Sequence, residues 1–151
     1  MNRLCGFLAG LLVVASAPLM AQEQQVWVNV LINGKAVMGF QPAAAPAGQS
    51  QRGICSEVTE AGARTSNGAP IRAFEFTGWK EGERYRVLMF AIVPAERSVA
   101  SGPCSARTGF KRVEFEDLRV RSGEELTISK MKAAGVTPWV IRAGRKEVIA
   151  K

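Results

Sequence analysis

The sequence contains no histidine and only one tyrosine. Without histidine there is no Ser-His-Asp or Cys-His catalysis, no histidine metal site and no histidine base that titrates near neutral pH. A Cys-x-x-Cys spacing and the alternating acids of a calcium-binding loop are also missing. The sequence therefore carries no motif for a metal or a cofactor, and any catalysis would depend on carboxylates, lysines and the tyrosine.

After its first residues the sequence also lacks an apolar run long enough to span a bilayer. At the start, Arg3 precedes an apolar stretch over residues 4–19, and polar residues follow at 22–25. This order is typical of a secretory signal. We expect residues 1–21 to be removed after Ala21, which leaves a secreted or periplasmic chain with no transmembrane segment. A membrane anchor is the alternative, and Pro18 and the shortness of the run argue against it.

Few cysteines remain once the predicted signal is removed. Cys5 lies inside it, so the mature chain keeps Cys55 and Cys104. Two thiols in an exported chain most often pair, and we predict a structural disulfide between them. On the chain-entropy account, closing this long loop contributes roughly 4 kcal/mol to stability. A redox or metal-binding pair is the alternative, which the missing Cys-x-x-Cys spacing and the missing histidine disfavour.

Positive charge is in excess, but the basic residues are dispersed along the sequence. The formal net charge is +7, and removal of residues 1–21 takes away one basic and no acidic residue, which leaves +7 − 1 = +6. Acids and bases alternate along most of the chain, which is typical of a solvated surface. No nucleic-acid-binding motif is present and the chain is expected to be exported, so we expect no nucleic-acid partner.

The strongest strand signal lies in residues 74–94. Phe74 and Phe76 alternate with polar residues, a glycine-bearing turn is expected over residues 78–82, and Tyr85 begins a second period-two run that ends at Pro94. This pattern predicts a β-hairpin whose second strand is buried on both faces.

Shorter strands are predicted on both sides of this hairpin, at residues 26–32, 35–40, 54–59, 111–120, 126–128 and 137–142, with a further edge strand at 147–149. Asn33-Gly34 predicts a two-residue hairpin turn, because both central positions of such a turn need positive φ. A change of apolar phase predicts a bulge near Glu116 and Asp117, and Gly135 is expected to end one helical turn. About seven short strands predict an all-β fold, a small antiparallel β-sandwich of the Ig-like or prealbumin-like kind, in one domain over residues 22–151.

Three motifs follow one another in an order that is found in a known family. They are a strand, an Asn-Gly turn and a strand over residues 28–39, then Phe74-x-Phe76, Gly82 and Tyr85-x-Val87, and last a Gly123-Glu124 turn between Val120 and residues 126–128. The chain resembles the prealbumin-like domains, also called carboxypeptidase-regulatory-like or transthyretin-like. The resemblance implies a sandwich that serves as a binding or structural accessory, and it brings no catalytic residues with it.

Four arginines form the first candidate binding site: Arg84, Arg86, Arg119 and Arg121. They occur at period two on two predicted strands, so they share one sheet face if those strands are neighbours. Arginine forks suit phosphate and carboxylate groups, which favours an acidic envelope glycan or a lipid phosphate as the ligand. The alternative is a solvent-exposed sheet face without a binding role, on which Glu83, Glu114 and Glu116 balance the charge of the arginines.

The three tryptophans are expected to divide between core and surface. Trp27 and Trp139 lie on the first strand and on a late strand and are expected in the core. Trp79 is expected at a hairpin turn, where an exposed indole stacks on sugar rings or anchors a protein partner. The alternative for Trp79 is that it caps the end of the sandwich.

These observations favour an exported, non-catalytic accessory or binding module of the cell envelope that interacts with a protein partner or an envelope glycan. The first alternative is a cell-wall glycan hydrolase that uses Glu114 or Glu116 with Tyr85, which requires two carboxyl groups converging in a cleft. The second is a structural module that donates an edge strand from residues 26–32 or 147–151 to an assembly. For the acids around Asp117, a calcium site is weighed against simple charge pairing with nearby arginines, which the sequence favours.

Overall fold

The structure, a computed structural model, describes residues 25–46, 53–95, 102–105 and 108–151, and the predicted secretory segment lies outside them. Among the described residues there are eight strands and one short helix. Their bounds are β1 Trp27–Ile32, β2 Lys35–Phe40, β3 Ile54–Glu57, β4 Ala73–Glu81, β5 Arg84–Pro94, β6 Phe110–Arg121, β7 Glu125–Thr127, α1 Lys130–Ala133 and β8 Val140–Gly144.

The strands form two four-stranded antiparallel sheets. The first sheet has the order β2-β1-β8-β7 and the second has the order β3-β4-β5-β6. The prediction of an all-β, antiparallel sandwich is therefore confirmed, with eight strands in the described residues in place of about seven.

The core lies between the inner faces of the two sheets. Fully buried side chains come from both layers: Val28, Val30 and Ile141 from the first sheet, and Phe74, Phe76 and Met89 from the second. Trp139, which precedes β8, is 3% exposed and packs against both phenylalanines, with ring centroids 5.3 Å from Phe74 and 6.2 Å from Phe76. Trp139 is thus a core residue, as predicted, and aromatic pairs of this kind stabilise the layer contact beyond their buried area.

The first predicted turn is confirmed. Asn33 and Gly34 connect β1 to β2 with φ values of 53° and 77°. The second turn is shorter than predicted, because β4 runs to Glu81 and only Gly82 and Glu83 connect it to β5. Gly82 has a φ of 64°, as a type II′ turn requires at its first central position.

Gly78 is a strand residue, which is why the predicted turn over residues 78–82 is wrong. A Cβ atom at this position would lie 2.6 Å from the backbone oxygen of Arg86 and 3.3 Å from the ring of Phe40. The glycine therefore permits a close approach within the sheet, and the strand continues through Trp79.

The predicted bulge is present on β6. The register moves from Met89 opposite Glu116 to Phe90 opposite Glu114, so Phe115 is the extra residue. The bulge changes the side-chain phase of the strand, and Phe115 and Leu118 are then both buried, at 7% and 8% exposure. The neighbouring strand β5 was predicted to be buried on both faces. It is buried on both faces only near its C-terminal end, where Ile92 is 4% exposed; Phe90, two residues earlier on the same face, is half-buried.

The C-terminal residues do not form the predicted edge strand at 147–149. Residues 145–151, here called the strap, follow β8 and lie across the outer face of the first sheet, over β1. The side chain of Asn29 donates to the carbonyl oxygens of Arg142 and Arg145 at 3.3 and 2.9 Å and accepts from the amide of Glu147 at 3.2 Å. Because a side chain takes these backbone groups, they are not available for pairing with a strand.

Two further predictions are confirmed at the margins of the sandwich. Cys55 on β3 and Cys104 form a disulfide with Cα atoms 5.5 Å apart. The helical turn α1 is followed by Gly135 with a φ of 83°. In the part of the chain that the structure describes, no helix has the length and apolar character needed to cross a membrane.

Candidate functional site

The five predicted binding residues lie together on the outer face of the second sheet. Trp79, Arg86 and Arg119 form one cross-strand row, and Arg84 lies opposite Arg121 in the next row. Rows two residues apart on one face are about 6.8 Å from each other. We call this surface the arginine face; it occupies the end of the sheet at the β4–β5 turn.

Within the arginine face, Arg86 already has an anionic partner. Its Nε and Nη2 atoms donate to the two oxygens of Asp117 at 3.0 and 2.7 Å, and its guanidinium lies 5.2 Å from the ring centroid of Trp79. A bidentate fork stacked on an indole is a fixed arrangement. Arg86 is therefore a positioning residue in this face, because Asp117 already occupies the Nε–Nη2 edge of its guanidinium.

This pairing shifts the titration of both partners. The hydrogen bonds from Arg86, together with its charge and that of Arg119, lower the pKa of Asp117 below the usual value, while partial burial opposes the shift. The pKa of Arg86 is raised, first by its hydrogen bond to Asp117. Asp117 thus remains ionised well into acidic conditions.

The other three arginines keep their guanidiniums available. Arg84, Arg119 and Arg121 are exposed. The nearest carboxylate contact of Arg119 is a loose one, 3.6 Å from Asp117, which already holds Arg86. Within the described part of the chain, no carboxylate oxygen lies within 4 Å of the side-chain nitrogens of Arg84 or Arg121, although Glu81 is directly opposite Arg84 in the register.

The arrangement of these charges opposes sheet stability. Arg84 faces Arg121, and Arg86 faces Arg119, so two like-charged pairs stand directly opposite each other on neighbouring strands. Like charges in this position destabilise a sheet. Asp117 relieves one pair and leaves the pair of Arg84 and Arg121 without a counter-charge in contact. A surface of this kind attracts anions.

Trp79 is less exposed than the sequence predicted. It lies within β4, not at a turn, and it is half-buried beside Arg86. Trp27, predicted to be in the core, is also half-buried; it lies on the outer side of the first sheet, where the Nζ of Lys146 is 4.7 Å from its ring centroid. Because Arg86 lies over its ring, Trp79 borders the arginine face and does not offer an open aromatic surface for stacking.

Of the residues proposed for a glycan hydrolase, Glu114 and Tyr85 lie on opposite faces of the second sheet. Glu114 lies opposite Phe90, on the outer face, whereas Tyr85 lies opposite Val120, whose side chain is fully buried on the inner side. Neither of the two clefts described below is lined by Glu114, Glu116 or Tyr85. The geometry gives that alternative no support. Among the described residues, no cluster of three or more histidine, cysteine or acidic side chains is placed to hold a metal ion.

The strand-donor alternative lacks its geometry at residues 26–32, whereas at residues 147–151 the side chains of Val148 and Ile149 are 93% and 47% exposed. β1 is a central strand between β2 and β8, so residues 26–32 offer no free edge. At the opposite border, the outer edge of β6 is partly blocked by side chains: Glu124 accepts the Arg121 amide at 2.9 Å and Glu116 accepts the Asp117 amide at 3.1 Å. Capping an edge in this way prevents pairing with another chain.

Two clefts open at the other border of the sandwich. One, of about 350 Å³, lies between residues 58–64 and 70–72. The other, of about 460 Å³, lies between β2 and β3, and the end of the strap lines it. Neither was foreseen from the sequence; the first is built within residues 58–72, and the second joins segments that are distant along the chain.

The comparisons give this chain no family. No family model, no curated protein and no solved structure matches it. The similarity to prealbumin-like domains thus stays a prediction from the sequence motifs.

Proposed function

We propose that this chain is an exported, non-catalytic binding module of the cell envelope, and that its arginine face binds an acidic envelope glycan. The observation that carries the proposal is the pair of Arg84 and Arg121, which stand directly opposite each other, exposed, with no carboxylate oxygen within 4 Å in the described part of the chain. Arg119 stands in the adjacent row and adds a third exposed guanidinium.

The chemistry of the face favours carboxylates or phosphates on a repeating chain. Guanidinium groups bind both anions through paired hydrogen bonds. The cations are spread over two rows, so a polymer with several spaced anionic groups contacts more of them than a single small anion does. Asp117 and Arg86 hold the centre of the face rigid, which reduces the entropy lost when a ligand binds.

The disulfide supports the same proposal, because it is compatible with a location outside the cytosol. The structure contains the disulfide between Cys55 and Cys104, and such bonds persist in oxidising compartments. Together with the secretory signal predicted over residues 1–21, the disulfide supports an envelope component as the ligand. The fold supplies a four-stranded sheet as the support for a surface site.

The proposal is tested by titrating the protein with an oligogalacturonate, which carries a carboxylate on each sugar, and with a neutral oligoglucoside of equal length. We expect the acidic oligomer to bind, and we expect the double variant Arg84→Gln with Arg121→Gln to bind it roughly tenfold more weakly. The control is Lys132→Gln with Arg145→Gln, which makes the same change in net charge at exposed positions outside the arginine face.

Three results would contradict the proposal. The neutral oligomer binding as well as the acidic one would remove the role of charge. An equal loss in the control variant would show that only net charge matters. Capture of a protein partner through the arginine face, with no affinity for the acidic oligomer, would show that the face serves protein recognition instead.

A further inference from the structure

The larger of the two clefts lies where the free edges of the two sheets meet. β2 and β3 are the edge strands on this side, and the cleft between them has a volume of about 460 Å³. This volume is within the range of ligand sites in proteins. Its apolar lining comes from six side chains: Ile32, Val37, Val58, Val136, Trp139 and Ala150.

The charged residues around the cleft have both signs. Lys35 and Lys151 supply positive charge, and Glu57 and Glu60 supply negative charge. Glu60 is already engaged, because its Oε2 atom accepts the amide of Thr137 at 2.8 Å. Lys35 and Glu57 are exposed, and within the described residues neither has an ion-pair partner. An occupant that carries one acid and one base is complementary to this rim.

The chain itself already places backbone on this edge. The amide of Ala150 donates to the carbonyl oxygen of Ala36, a residue of the edge strand β2, at 2.9 Å. Ala150 and Lys151 also line the cleft. The edge of β2 therefore accepts a backbone hydrogen bond from a segment that belongs to neither sheet, which is the elementary contact of strand addition.

This end of the strap is weakly held. Its first part is anchored by Asn29 and by the ion pair of Glu147 with Arg142 at 2.6 Å. Beyond that, Val148 is 93% and Ile149 is 47% exposed. In the described residues, the bond from Ala150 to Ala36 is the one hydrogen bond that the structure shows for residues 148–151. Displacing the end of the strap consequently costs little.

We infer that the cleft between β2 and β3 is a second binding site, which takes an extended peptide of a partner protein. The peptide adds along the free edge of β2, places an apolar side chain between Val37 and Val58, and sets an acid near Lys35 and a base near Glu57. Ala150 and Lys151 are the resident segment that it displaces from the carbonyl of Ala36. This site is independent of the arginine face, so the chain can hold a partner protein and a glycan at once.

A peptide fits these features better than a sugar or a lipid does. A peptide supplies repeated amide donors for the edge of the strand together with apolar side chains for the cleft, and strand addition uses both. A sugar would leave the apolar lining without complementary groups. A lipid chain would leave the carbonyl acceptor of Ala36 buried without a donor.

The probe is a peptide of sequence Glu-Val-Leu-Val-Lys, acetylated and amidated at its ends, compared with the same peptide N-methylated at both valines. We expect the first peptide to shift the NMR amide signals of Ala36, Val37 and Val58, and the methylated peptide, which lacks the donors, to leave them unchanged. The variant Ala150→Pro removes the amide that competes for Ala36. It is expected to bind the peptide roughly twofold to tenfold more tightly, which corresponds to the release of one net hydrogen bond.

The matched control is Val148→Pro, which introduces the same ring in the strap at an exposed residue whose amide makes no hydrogen bond in the described residues. Its affinity is expected to equal that of the unchanged protein. The inference is overturned if the methylated peptide binds equally well, if Ala150→Pro has no effect on affinity, if the shifts map to the arginine face, or if no shift is seen at the highest soluble peptide concentration. None of these results bears on binding of the acidic glycan.

Discussion

The two outer faces of the sandwich differ in how much of each is covered by other parts of the chain. The outer face of the first sheet is covered by the protein's own strap, so that the outward side chains of Asn29 and Leu31 are only 2% exposed. The outer face of the second sheet stays open at the arginine face, where Arg84, Arg119 and Arg121 are exposed. An antiparallel sheet needs only one buried face. The covered face therefore contributes to stability, and the open face is free to carry a site.

The open face is itself divided along its length. Near the β4–β5 turn, this face is exposed to solvent and positively charged. At its other end, Ala73 is 0% and Ile92 is 4% exposed although both belong to the outer side, and the disulfide from Cys55 to Cys104 lies on this same side. Exposure of the arginines is therefore a local property of one end of the sheet and not a general lack of covering chain.

The largest expected effect comes from removing the cross-link of the second sheet. Cys55→Ser with Cys104→Ser opens a loop with a sequence separation of 49 residues. Loss of this closure is expected to lower the free energy of unfolding by about 4 kcal/mol. Urea unfolding of the double variant and of the unchanged protein measures the difference.

Reducing agent serves as the control for that comparison, since it should destabilise the unchanged protein and leave the double variant unaffected. A double variant as stable as the oxidised protein would show that the second sheet does not depend on the cross-link.

The next effect concerns the covered face. Asn29→Asp keeps the shape of the side chain but replaces the Nδ2 donor, which holds the carbonyls of Arg142 and Arg145, by an oxygen. The variant is expected to lose about 2–3 kcal/mol of stability, because buried carbonyls lose their partner and face a negative charge. Urea unfolding measures the loss, and protease cleavage within the strap should become faster.

Asn67→Asp is the matched control, because Asn67 lies in an exposed turn and its side chain contacts only Thr65 among the described residues. Equal losses at the two positions would mean that the strap is not fastened by Asn29.

The smallest effect is a pH dependence in the arginine face. The hydrogen bonds from Arg86 lower the pKa of Asp117 beneath its ordinary value of 3.8. An acid with a lowered pKa in the folded protein stabilises it at pH values above the ordinary pKa, and this contribution is lost as the pH falls through that value toward the lower folded pKa. Asp117→Asn should therefore be less stable than the unchanged protein at neutral pH, and the difference should shrink below about pH 4.

Arg86→Gln, which removes the partner of Asp117, provides the control background, in which Asp117→Asn should no longer produce this convergence. A constant difference between Asp117→Asn and the unchanged protein at every pH would contradict the ion pair.

Much of the fold followed from local patterns. Asn33-Gly34, the alternation through residues 85–93 and the change of phase on β6 each determine a structure within a few residues. The strap did not follow from such a pattern. Val148 and Ile149 look like the end of a strand, and their true course depends on Asn29, more than a hundred residues away along the chain.

The sequence predicted which residues belong to the candidate site, but it did not predict the role of each residue. The spacing of two residues between the arginines predicted that they share one face of the sheet, and the register of β5 with β6 confirms it. That Arg86 is neutralised and Arg84 is not depends on the register of β5 with β6, in which Asp117 lies opposite Leu88 and so diagonally across from Arg86. The sequence does not show this register, so it does not show which acid meets which arginine.

The contrast between an open and a covered face is tested most directly by mapping where an acidic oligomer binds. Titration of the isotope-labelled protein with oligogalacturonate should shift the NMR amide signals of Arg84, Arg119 and Arg121 and leave those of residues 145–151 unchanged, with the shifts diminishing as salt is added. Shifts centred on residues 145–151, or distributed evenly over both faces, would contradict the account.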